Sequence, residues 1–448
     1  MPLQFGTDGI RGVANTELTP EFALALGRAA ARSINGTTWL VGRDTRRSGA
    51  MLQAALSAGL ASEGRDVVDL GVIPTPGVAW LASERGTPAA MISASHNPFA
   101  DNGIKLFGAG GTKLSREAEE AVESQLEEIR RAGTADEAGA GGGAAVGSIV
   151  ADASGRHVYV ERLVSIVAGR AMPAGEVVVD CANGAAAEVA PAVFEQLGLR
   201  HHLRAVEPDG TNINEACGST HLGPLIETVR ERGAILGVAF DGDADRMLAV
   251  DHEGGVVDGD HLIAMFAADL RRSGTLTGDT VVVTVLSNLG LRLRLRSEGI
   301  SVVETPVGDR HVADAMEAGG YVLGGEQSGH LILRRHASTG DGILTSLMLL
   351  ELLGRTDRTL ADLAAVSMQR LPQVLVNVRV PEPSRLDEAE KVWALAEEVQ
   401  ADLGEAGRVL LRKSGTESCV RVMVEAASHD LAEELANRMA AMIEQELA

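Results

Sequence analysis

The sequence predicts an α/β protein in which three successive α/β domains with mixed sheets are followed by a C-terminal α+β domain, around a central cleft. Short apolar runs such as Trp39 to Val41 and Val67 to Leu70 alternate with helical stretches such as Ala50 to Ser62, which is typical of α/β folds. Closely spaced strand-like runs within residues 409–424 instead indicate a hairpin in the tail. Each part also has a polar loop after an apolar run, which predicts a cleft where the loops meet.

We place the domains at residues 1–153, 154–248, 249–365 and 366–448. Thr19 and Pro20 supply a cap and a first-turn proline for the first helix. The Gly- and Ala-rich residues 133–147 predict an exposed loop near the first boundary, and a helix from His157 to Val167 opens the second domain. The other predicted elements are strands 177–179, 235–240, 281–285, 302–304, 374–380, 409–411 and 419–424, and helices 342–352, 386–403 and 429–446.

The composition fits a multidomain enzyme that remains in the cytoplasm. The chain has 448 residues, of which 45% are hydrophobic and 23% are charged. The N-terminus lacks the basic start and apolar core of a signal peptide. The formal net charge of −22 argues against nucleic acid and membrane partners, because both are anionic. The three cysteines lack a Cys-x-x-Cys spacing, so zinc and redox motifs are unsupported.

The first informative loop lies in residues 91–105, MISASHNPFADNGIK. Residues 88–92 read as a buried strand, so Ser95 falls just beyond its carboxyl end, where α/β proteins bind ligands. Ser95 lacks the Gly-x-Ser-x-Gly elbow of the α/β-hydrolases, which argues against acyl transfer. A turn built on Asn97 and Pro98 with a capping serine remains an alternative.

The second loop contains three carboxylates at alternate positions, Asp241, Asp243 and Asp245. In an extended loop alternate side chains point the same way, so all three can converge on one hard cation. An EF-hand is excluded because Arg246 and His252 stand where glycine and glutamate are required. A haloacid-dehalogenase nucleophile and a solvated acidic turn are the weaker alternatives.

Two further loops carry polar and basic groups. Residues 324–330, GGEQSGH, offer Glu326 and Ser328 to sugar hydroxyls, and His330 can move a proton near neutral pH. Residues 412–416, RKSGT, would form an anion cradle between two strands. This segment lacks the Walker A order, and a basic hairpin turn is its alternative. The basic residues of the candidate loops are Arg11, Lys105, Arg246, Arg310, Arg412 and Arg421.

In this order along the whole chain, the four loops resemble those of the α-D-phosphohexomutase superfamily, and within it the chain is most similar to bacterial phosphoglucosamine mutases. Gln327 stands where the phosphomannomutase/phosphoglucomutase branch usually carries methionine. Ser418 departs from the pattern, because a proline usually follows Thr-Glu in the phosphate loop. The other matching segments are residues 5–12 (FGTDGIRG), 42–46 (GRDTR) and 208–221 (PDGTNINEACGSTH).

The resemblance implies an isomerase of amino sugar metabolism that interconverts glucosamine 6-phosphate and glucosamine 1-phosphate for UDP-N-acetylglucosamine and cell-wall precursor synthesis. It implies that Ser95 carries the phosphoryl group and binds one Mg²⁺ together with Asp241, Asp243 and Asp245. A hexose 1,6-bisphosphate would be the activator and intermediate. The partner would be a hexosamine phosphate, and the resemblance suggests a homodimer.

The resemblance also implies roles for the remaining candidates. Lys105, Arg11 and Arg246 would stabilise the transferring oxygens, and proton movement falls to His330 or Lys105. The C-terminal domain would move about a linker near residues 366–373. The expected substrate-binding residues are His96, Gly308, Asp309, Arg310, Glu326, Ser328, Arg412, Ser414, Gly415, Thr416 and Arg421.

Two other functions remain open from the sequence. A related mutase acting on mannose or glucose phosphates would use the same loops. A magnesium-dependent sugar phosphatase, or a sugar-phosphate sensor without catalytic activity, would use the same cleft without isomerising its ligand.

Overall fold

The computed structural model describes residues 3–132, 143–414 and 418–447. Two compact units are present, one formed by Met1–Val285 with Ser301–Ala364 and the other by Leu286–Ile300 with Ala365–Ala448. The first unit contains three of the four sheets, and the second contains an antiparallel sheet. The predicted α/β class with mixed sheets and a C-terminal α+β domain is confirmed.

The first domain has a six-stranded mixed sheet in the order β1-β5-β4-β2-β3-β6. Strands β2, β3, β4 and β6 pair in parallel, whereas β5 runs antiparallel to β1 and β4. The strands are β1 Ile10–Val13, β2 Thr38–Arg43, β3 Asp66–Val72, β4 Ala89–Ile92, β5 Asp101–Phe107 and β6 Ile149–Ala151. The helices are α1 Pro20–Ser33, α2 Gly49–Ser62, α3 Thr75–Arg85 and α4 Arg116–Ala132.

Helix α1 begins where the sequence predicts. Thr19 is its N-cap, because the Thr19 hydroxyl oxygen accepts a hydrogen bond of 3.2 Å from the Phe22 amide, and Pro20 follows in the first turn. The apolar face of α1 packs with α2 and with the fully buried Trp39 of β2 in one core. This packed layer supports the loops at the carboxyl ends of the parallel strands.

The second domain has a five-stranded sheet in the order β11-β10-β9-β7-β8. Its strands are β7 Val177–Asp180, β8 His201–Arg204, β9 Leu236–Phe240, β10 Met247–Asp251 and β11 Val256–Val257, and its helices are α5 Ser154–Val167, α6 Ala190–Gln196 and α7 Gly223–Arg232. Strands β10 and β11 extend this sheet through antiparallel pairing with β9 and with each other. The predicted boundary at 248/249 falls inside β10.

The third sheet has the order β13-β12-β14-β15. Its strands are β12 Thr280–Thr284, β13 Ser301–Thr305, β14 Leu323–Gly325 and β15 Leu331–Leu333. The helices of this part of the chain are α8 Gly259–Arg272, α9 Leu289–Ser297, α10 Asp309–Gly319, α11 Gly342–Thr356 and α12 Leu360–Ser367.

Helix α9 belongs to the second compact unit, although the sequence places it in the third domain. Asn288 caps α9 by accepting from the Gly290 amide, and it also exchanges two hydrogen bonds of 3.0 Å with the backbone of Leu371. Arg408 donates to the Ser287 carbonyl oxygen at 2.6 Å. These long-range hydrogen bonds tie residues 286–300 to the tail, and no local sequence pattern reports them.

The C-terminal sheet has the order β16-β18-β17, with β16 Gln373–Arg379, β17 Arg408–Lys413 and β18 Cys419–Glu425. Its helices are α13 Glu390–Leu403 and α14 His429–Leu447. The predicted helix 386–403 begins only at Glu390, because Ala389 is non-helical with ψ 73°. In the part of the chain that the structure describes, no helix combines the length and apolar character needed to cross a membrane.

Candidate active site

Ser95 lies in a loop of residues 93–100, which we call the serine loop, between β4 and β5. The residue is fully buried, and its φ of 53° places it in the left-handed region. That conformation is unfavourable for a residue with a side chain, so it persists only where surrounding contacts enforce it. The Ser95 amide donates to the Ser93 hydroxyl at 2.9 Å. The serine loop is therefore held in one defined shape.

Arg46 supplies most of the contacts that enforce this shape. Its guanidinium donates to the main-chain oxygens of Ser95 at 2.9 Å, Asn97 at 2.8 Å and Asp101 at 2.9 Å, and also to that of Pro98. The Arg46 side chain is completely shielded from solvent. A planar group with several donors suits such a set of converging carbonyl oxygens.

The carboxylate of Asp44 and the amide of Asn214 complete the support. Asp44 accepts from Arg46 Nε at 2.8 Å and from the Ser93 hydroxyl at 2.7 Å. Asn214, from the second domain, donates to the carbonyl oxygen of Ser95 at 2.9 Å. Burial raises the pKa of Asp44, against the opposing effect of the Arg46 charge. The serine loop is thus fixed from two domains.

The three aspartates after β9 meet beside the serine. Asp241, Asp243 and Asp245 are buried, and each has an oxygen within 4.8 Å of the others. Convergence comes from a turn, in which Ala244 has φ 56°, so the expected extended loop is wrong. The Ser95 hydroxyl donates to Asp241 Oδ2 at 2.5 Å. Ser95 and the acidic cluster therefore occupy one site within the first unit.

The cluster has open coordination capacity for a cation. Asp243 Oδ1 and Asp245 Oδ1 are buried without a hydrogen-bond partner among the described residues. Burial, followed by the charges of Asp245 and Asp243, raises the pKa of Asp241 well above its usual range. Carboxylate oxygens that repel one another and lack donors match the preferences of a hard divalent cation. The residues present therefore fit Mg²⁺.

Lys105 is the central cation of the site. It lies on β5, opposite Met91 of β4, so its predicted position in a loop is wrong. Its ammonium lies 2.8 Å from Asp243 Oδ2, 3.3 Å from Asp245 Oδ2 and 2.9 Å from Asp8 Oδ2. Burial alone would lower the pKa of Lys105, but the charges of Asp243 and Asp8 raise it well above its usual range. Lys105 is therefore a permanent cation here.

Arg11 and Arg246 flank the same cluster. Arg11, on β1, pairs with Asp8 and donates to Asn97 Oδ1 at 3.4 Å. Arg246 Nε lies 3.7 Å from Asp245 Oδ1. The Nε atoms of both arginines are buried without a hydrogen-bond partner among the described residues. Both guanidinium groups therefore retain donors for an anionic group such as a phosphoryl oxygen.

His96 and His330 approach the site from different sides. His96 Nδ1 lies 3.3 Å from the Ser95 hydroxyl, and burial, then the charges of Arg246 and Arg11, lower the pKa of His96 to about 4. His330 Nδ1 lies 3.7 Å from Asp245 Oδ2, and its Nε2 accepts from the Gly340 amide at 3.0 Å. Burial lowers the pKa of His330, but the interaction with Asp245 and the charges of Asp245, Asp309 and Glu326 together raise it above its usual value.

The third-domain loop has an internal hydrogen-bond network. Glu326 accepts from the Gly308 amide at 3.1 Å and from the Ser328 hydroxyl at 3.2 Å. Gln327 donates to Asp258 Oδ2 at 3.3 Å, and the Gln327 carbonyl oxygen accepts from the Gly259 amide at 3.0 Å. Gln327 thus anchors the loop to the N-terminus of α8, while Glu326 and Ser328 are hydrogen-bonded to each other.

Asp309 and Arg310 are engaged in ion pairs. Arg310 pairs with Glu119 of α4, with 2.5 Å between Nη1 and Oε2. Asp309 pairs with Lys113, which also lies 2.6 Å from Asp8 Oδ1. These pairs link the first and third domains. Asp309 and Arg310 therefore act as interdomain contacts.

The phosphate-loop residues lie in the second unit. Arg412 of β17 and Arg421 of β18 are cross-strand partners, and the Ser414 amide donates to the Cys419 carbonyl oxygen at 3.0 Å. Burial and the neighbouring charge of Arg421 lower the pKa of Arg412. Two adjacent guanidinium groups favour an anionic ligand. Gly415 and Thr416 lie outside the described residues.

Sequence reasoning missed several residues that shape the site. Asp8, Arg46 and Asn214 each fall inside a segment that carried the family resemblance, which was their only signal. Thr75, which donates to Asp243 Oδ2 at 2.6 Å, and Lys113 had no signal in the sequence. Their contacts join residues far apart in the chain, so no local pattern could reveal them.

Comparison with known proteins identifies the family. Profiles of the phosphoglucomutase/phosphomannomutase α/β/α domains I, II and III match residues 2–132, 157–255 and 258–371, and the C-terminal domain profile matches residues 375–442. The phosphoglucosamine mutase of Salinispora arenicola is 52% identical over 443 residues, which cover 97% of each chain.

Solved structures show the same architecture. A phosphoglucomutase/phosphomannomutase family protein from Burkholderia thailandensis is 25% identical, covers 100% of this chain and 98% of its own, and superposes with a TM-score of 0.81. The N-acetylphosphoglucosamine mutase of Aspergillus fumigatus, in complex with GlcNAc-6P and magnesium, shares the fold at 19% identity and a TM-score of 0.70, covering 100% of this chain and 96% of its own. The chain belongs to the phosphoglucomutase/phosphomannomutase family.

Proposed function

We propose that the protein is a phosphoglucosamine mutase, an isomerase that interconverts glucosamine 6-phosphate and glucosamine 1-phosphate. The observation that carries the chemistry is the 2.5 Å hydrogen bond from the Ser95 hydroxyl to Asp241, at the edge of a buried cluster of three aspartates. The amino sugar assignment is supported by the phosphoglucosamine mutase that is 52% identical over nearly the full chain.

We propose that one Mg²⁺ is held by Asp241, Asp243, Asp245 and an oxygen at Ser95. The unpartnered oxygens of Asp243 and Asp245 support this assignment. When bound, Mg²⁺ offsets the charge of the phosphoryl group and polarises its phosphorus. The resting enzyme would carry phosphoserine at position 95.

The chain supplies fixed cations around the transferring group. Lys105 and Arg246 contact the aspartate cluster beside Ser95, and Arg11 contacts Asn97 of the serine loop. Phosphoryl transfer depends mainly on positioning and charge stabilisation. In the first half-reaction, the phosphorus–oxygen bond to Ser95 breaks and a bond to the free hydroxyl of the sugar monophosphate forms. The product of this step is the 1,6-bisphosphate.

Proton transfer accompanies each half-reaction. The attacking hydroxyl loses its proton, and Ser95 Oγ gains one when the phosphoryl group departs. His96 is neutral at pH 7 because its pKa is about 4, and its Nδ1 lies 3.3 Å from Ser95 Oγ. The net reaction moves one proton from the attacking hydroxyl to Ser95 Oγ, which then donates it to Asp241 Oδ2. The neutral His96 ring can donate a hydrogen bond from Nδ1 to the same Ser95 oxygen. His330, committed to Asp245 and Gly340, would orient that aspartate.

The sugar monophosphate would bind through both of its ends. Glu326 and Ser328 would contact sugar hydroxyls, and the existing phosphate would bind Arg412, Ser414, Gly415, Thr416 and Arg421. The bisphosphate must then reorient, so that its other phosphate returns to Ser95 and leaves the isomerised monophosphate. We further propose a cytoplasmic enzyme for cell-wall precursor synthesis, active as a homodimer, with a hexose 1,6-bisphosphate as activator.

Phosphorus NMR tests this function. The enzyme is incubated with Mg²⁺, a trace of hexose 1,6-bisphosphate, and glucosamine, glucose or mannose 6-phosphate in parallel. The fastest formation of a 1-phosphate from the amino sugar is expected. A preference for glucose or mannose would assign the protein to the sister branch. Free inorganic phosphate would indicate a phosphatase, and no turnover would indicate a sensor.

A further inference from the structure

A cavity of about 530 Å³ lies among the three domains of the first unit, on the side of α3 and α5. Its walls come from α3 and α5, from α10, and from the segment of residues 334–339 after β15. Small-molecule sites typically have volumes of roughly 300–1,000 Å³. The cavity is therefore large enough for a metabolite, and neither Ser95 nor any of the three aspartates lines it.

One wall of the cavity is cationic. Arg162, Arg335 and His336 line it, and burial, then the charges of Arg162, Arg170 and Arg335, lower the pKa of His336. Arg162 Nε is buried and has no hydrogen-bond partner among the described residues. These basic groups cluster in a chain with a formal net charge of −22. An anion placed here would satisfy a donor that the protein leaves unpaired.

Five acidic residues also line the cavity, and four of them are paired or exposed. Asp309 is paired with Lys113, and Glu317 lies 3.7 Å from Arg334. Glu84 and Asp314 are exposed at the rim, where solvent screens their charge. Asp341 is buried, and burial raises its pKa to about 6.

The cavity is also lined by aromatic and apolar side chains, and α5 supplies Arg162 as well as part of this surface. The rings of Trp80 and Tyr159 lie 6.3 Å apart between centroids, and Leu163 and Ile166 of α5 continue this surface. Trp80 is partly exposed and offers a face for a planar ring. An aromatic surface next to arginine side chains fits a molecule that has a ring system at one end and phosphates at the other.

We propose that this cavity is a second ligand site, separate from the serine–aspartate site, and that it binds a nucleoside diphosphate. The base packs on the partly exposed ring of Trp80, which is backed by the buried Tyr159, and the phosphates accept hydrogen bonds from Arg162 and Arg335. The proposal does not depend on the sugar that the enzyme isomerises, so it can fail while the proposed mutase activity stands, and the reverse also holds.

Isothermal titration calorimetry on the full-length protein tests the proposal. Adenosine diphosphate is the probe, and adenosine and pyrophosphate represent its two parts. The buffer contains a chelator, so that the nucleotide cannot bind through a metal at the aspartates. Arg162→Gln removes the unpaired donor, Trp80→Leu removes the aromatic face, and Arg412→Gln is the control for binding at the phosphate loop.

The site predicts that adenosine diphosphate binds the wild type and the Arg412→Gln variant alike. Arg162→Gln should raise the Kd about tenfold or more, as expected for loss of a charged hydrogen bond. Trp80→Leu should weaken the diphosphate but not pyrophosphate. Thermal unfolding shows whether each variant is folded. If Trp80→Leu does not fold, the Kd of Arg162→Gln alone tests the proposal. Absence of binding to the wild type, or binding lost in Arg412→Gln and kept in Arg162→Gln, would overturn the proposal.

Discussion

The guanidinium of Arg46 donates a hydrogen bond of 2.9 Å to the main-chain carbonyl oxygen of Ser95. Further bonds from Arg46 reach the carbonyl oxygens of Asn97, Pro98 and Asp101. Ser95 itself has φ 53°, an unfavourable conformation for serine. Arg46 therefore determines where the Ser95 hydroxyl lies relative to Asp241.

Arg46→Lys should lower kcat roughly 100-fold, because a nucleophile displaced by about 1 Å loses this much reactivity. A lysine ammonium cannot satisfy four converging carbonyl oxygens, since it lacks the planar fork of donors. KM should change little, because Arg46 is not among the groups proposed to contact the sugar. The neighbouring, exposed Arg47 provides the control Arg47→Lys. Equal steady-state kinetics for the two variants would show that Arg46 does not position Ser95.

The metal site can be tested without turnover. Asp243→Asn removes one anionic ligand from the cluster and should weaken Mn²⁺ binding roughly 100-fold, since hard cations depend on carboxylate charge. Electron paramagnetic resonance of free Mn²⁺ measures this affinity. Glu207→Gln, at an exposed position of the same domain, is the control. Unchanged Mn²⁺ affinity in Asp243→Asn would place the metal elsewhere.

Gln327→Met should change affinity without changing sugar preference. The Gln327 amide donates to Asp258 Oδ2 at 3.3 Å, so it anchors the loop to α8. Loss of one such hydrogen bond of about 1 kcal/mol should raise KM severalfold for glucosamine, glucose and mannose phosphates alike. The ratios of kcat/KM among the three substrates measure the preference. A tenfold shift of these ratios towards glucose or mannose would mean that Gln327 selects the substrate directly.

Stability should fall as the pH rises through about 6 because of Asp341. Its carboxyl is buried, accepts from the Tyr159 hydroxyl at 2.7 Å, and has a pKa raised by burial to about 6. A group whose pKa is higher in the folded state binds a proton more tightly there. Its contribution to the free energy of unfolding is therefore complete below the unfolded pKa and is lost as the pH passes the folded value.

Urea unfolding between pH 4 and pH 7 measures this effect, which is on the order of 3 kcal/mol for a shift of this size. Asp341→Asn should flatten the pH dependence, because asparagine can still accept from the Leu344 amide as the N-cap of α11. Asp314→Asn, at an exposed position, should leave the dependence unchanged. An identical slope in the wild type and Asp341→Asn would show that this carboxyl is not the source.

The sequence predicts those features that depend on residues close together in the chain. Periodicity locates α1, α2 and most strands, and the family resemblance locates Ser95 and the three aspartates. Features that depend on contacts between residues far apart in the chain leave no local sequence pattern. Strand β10 joins the second sheet through pairing with β9, α9 joins the tail through Asn288 and Leu371, and Lys105 lies on a strand because β5 pairs with β4. The polar composition of residues 101–105 conceals that strand.

The central claim is that Ser95 carries a phosphoryl group and passes it to an amino sugar monophosphate. The most direct measurement is to label the enzyme with radioactive phosphate from a hexose 1,6-bisphosphate, locate the label by peptide mapping, and then add glucosamine 6-phosphate. We predict label on the peptide containing Ser95, none in Ser95→Ala, and transfer to glucosamine 1,6-bisphosphate. Label on another residue, or its release as inorganic phosphate without sugar bisphosphate, would contradict the account.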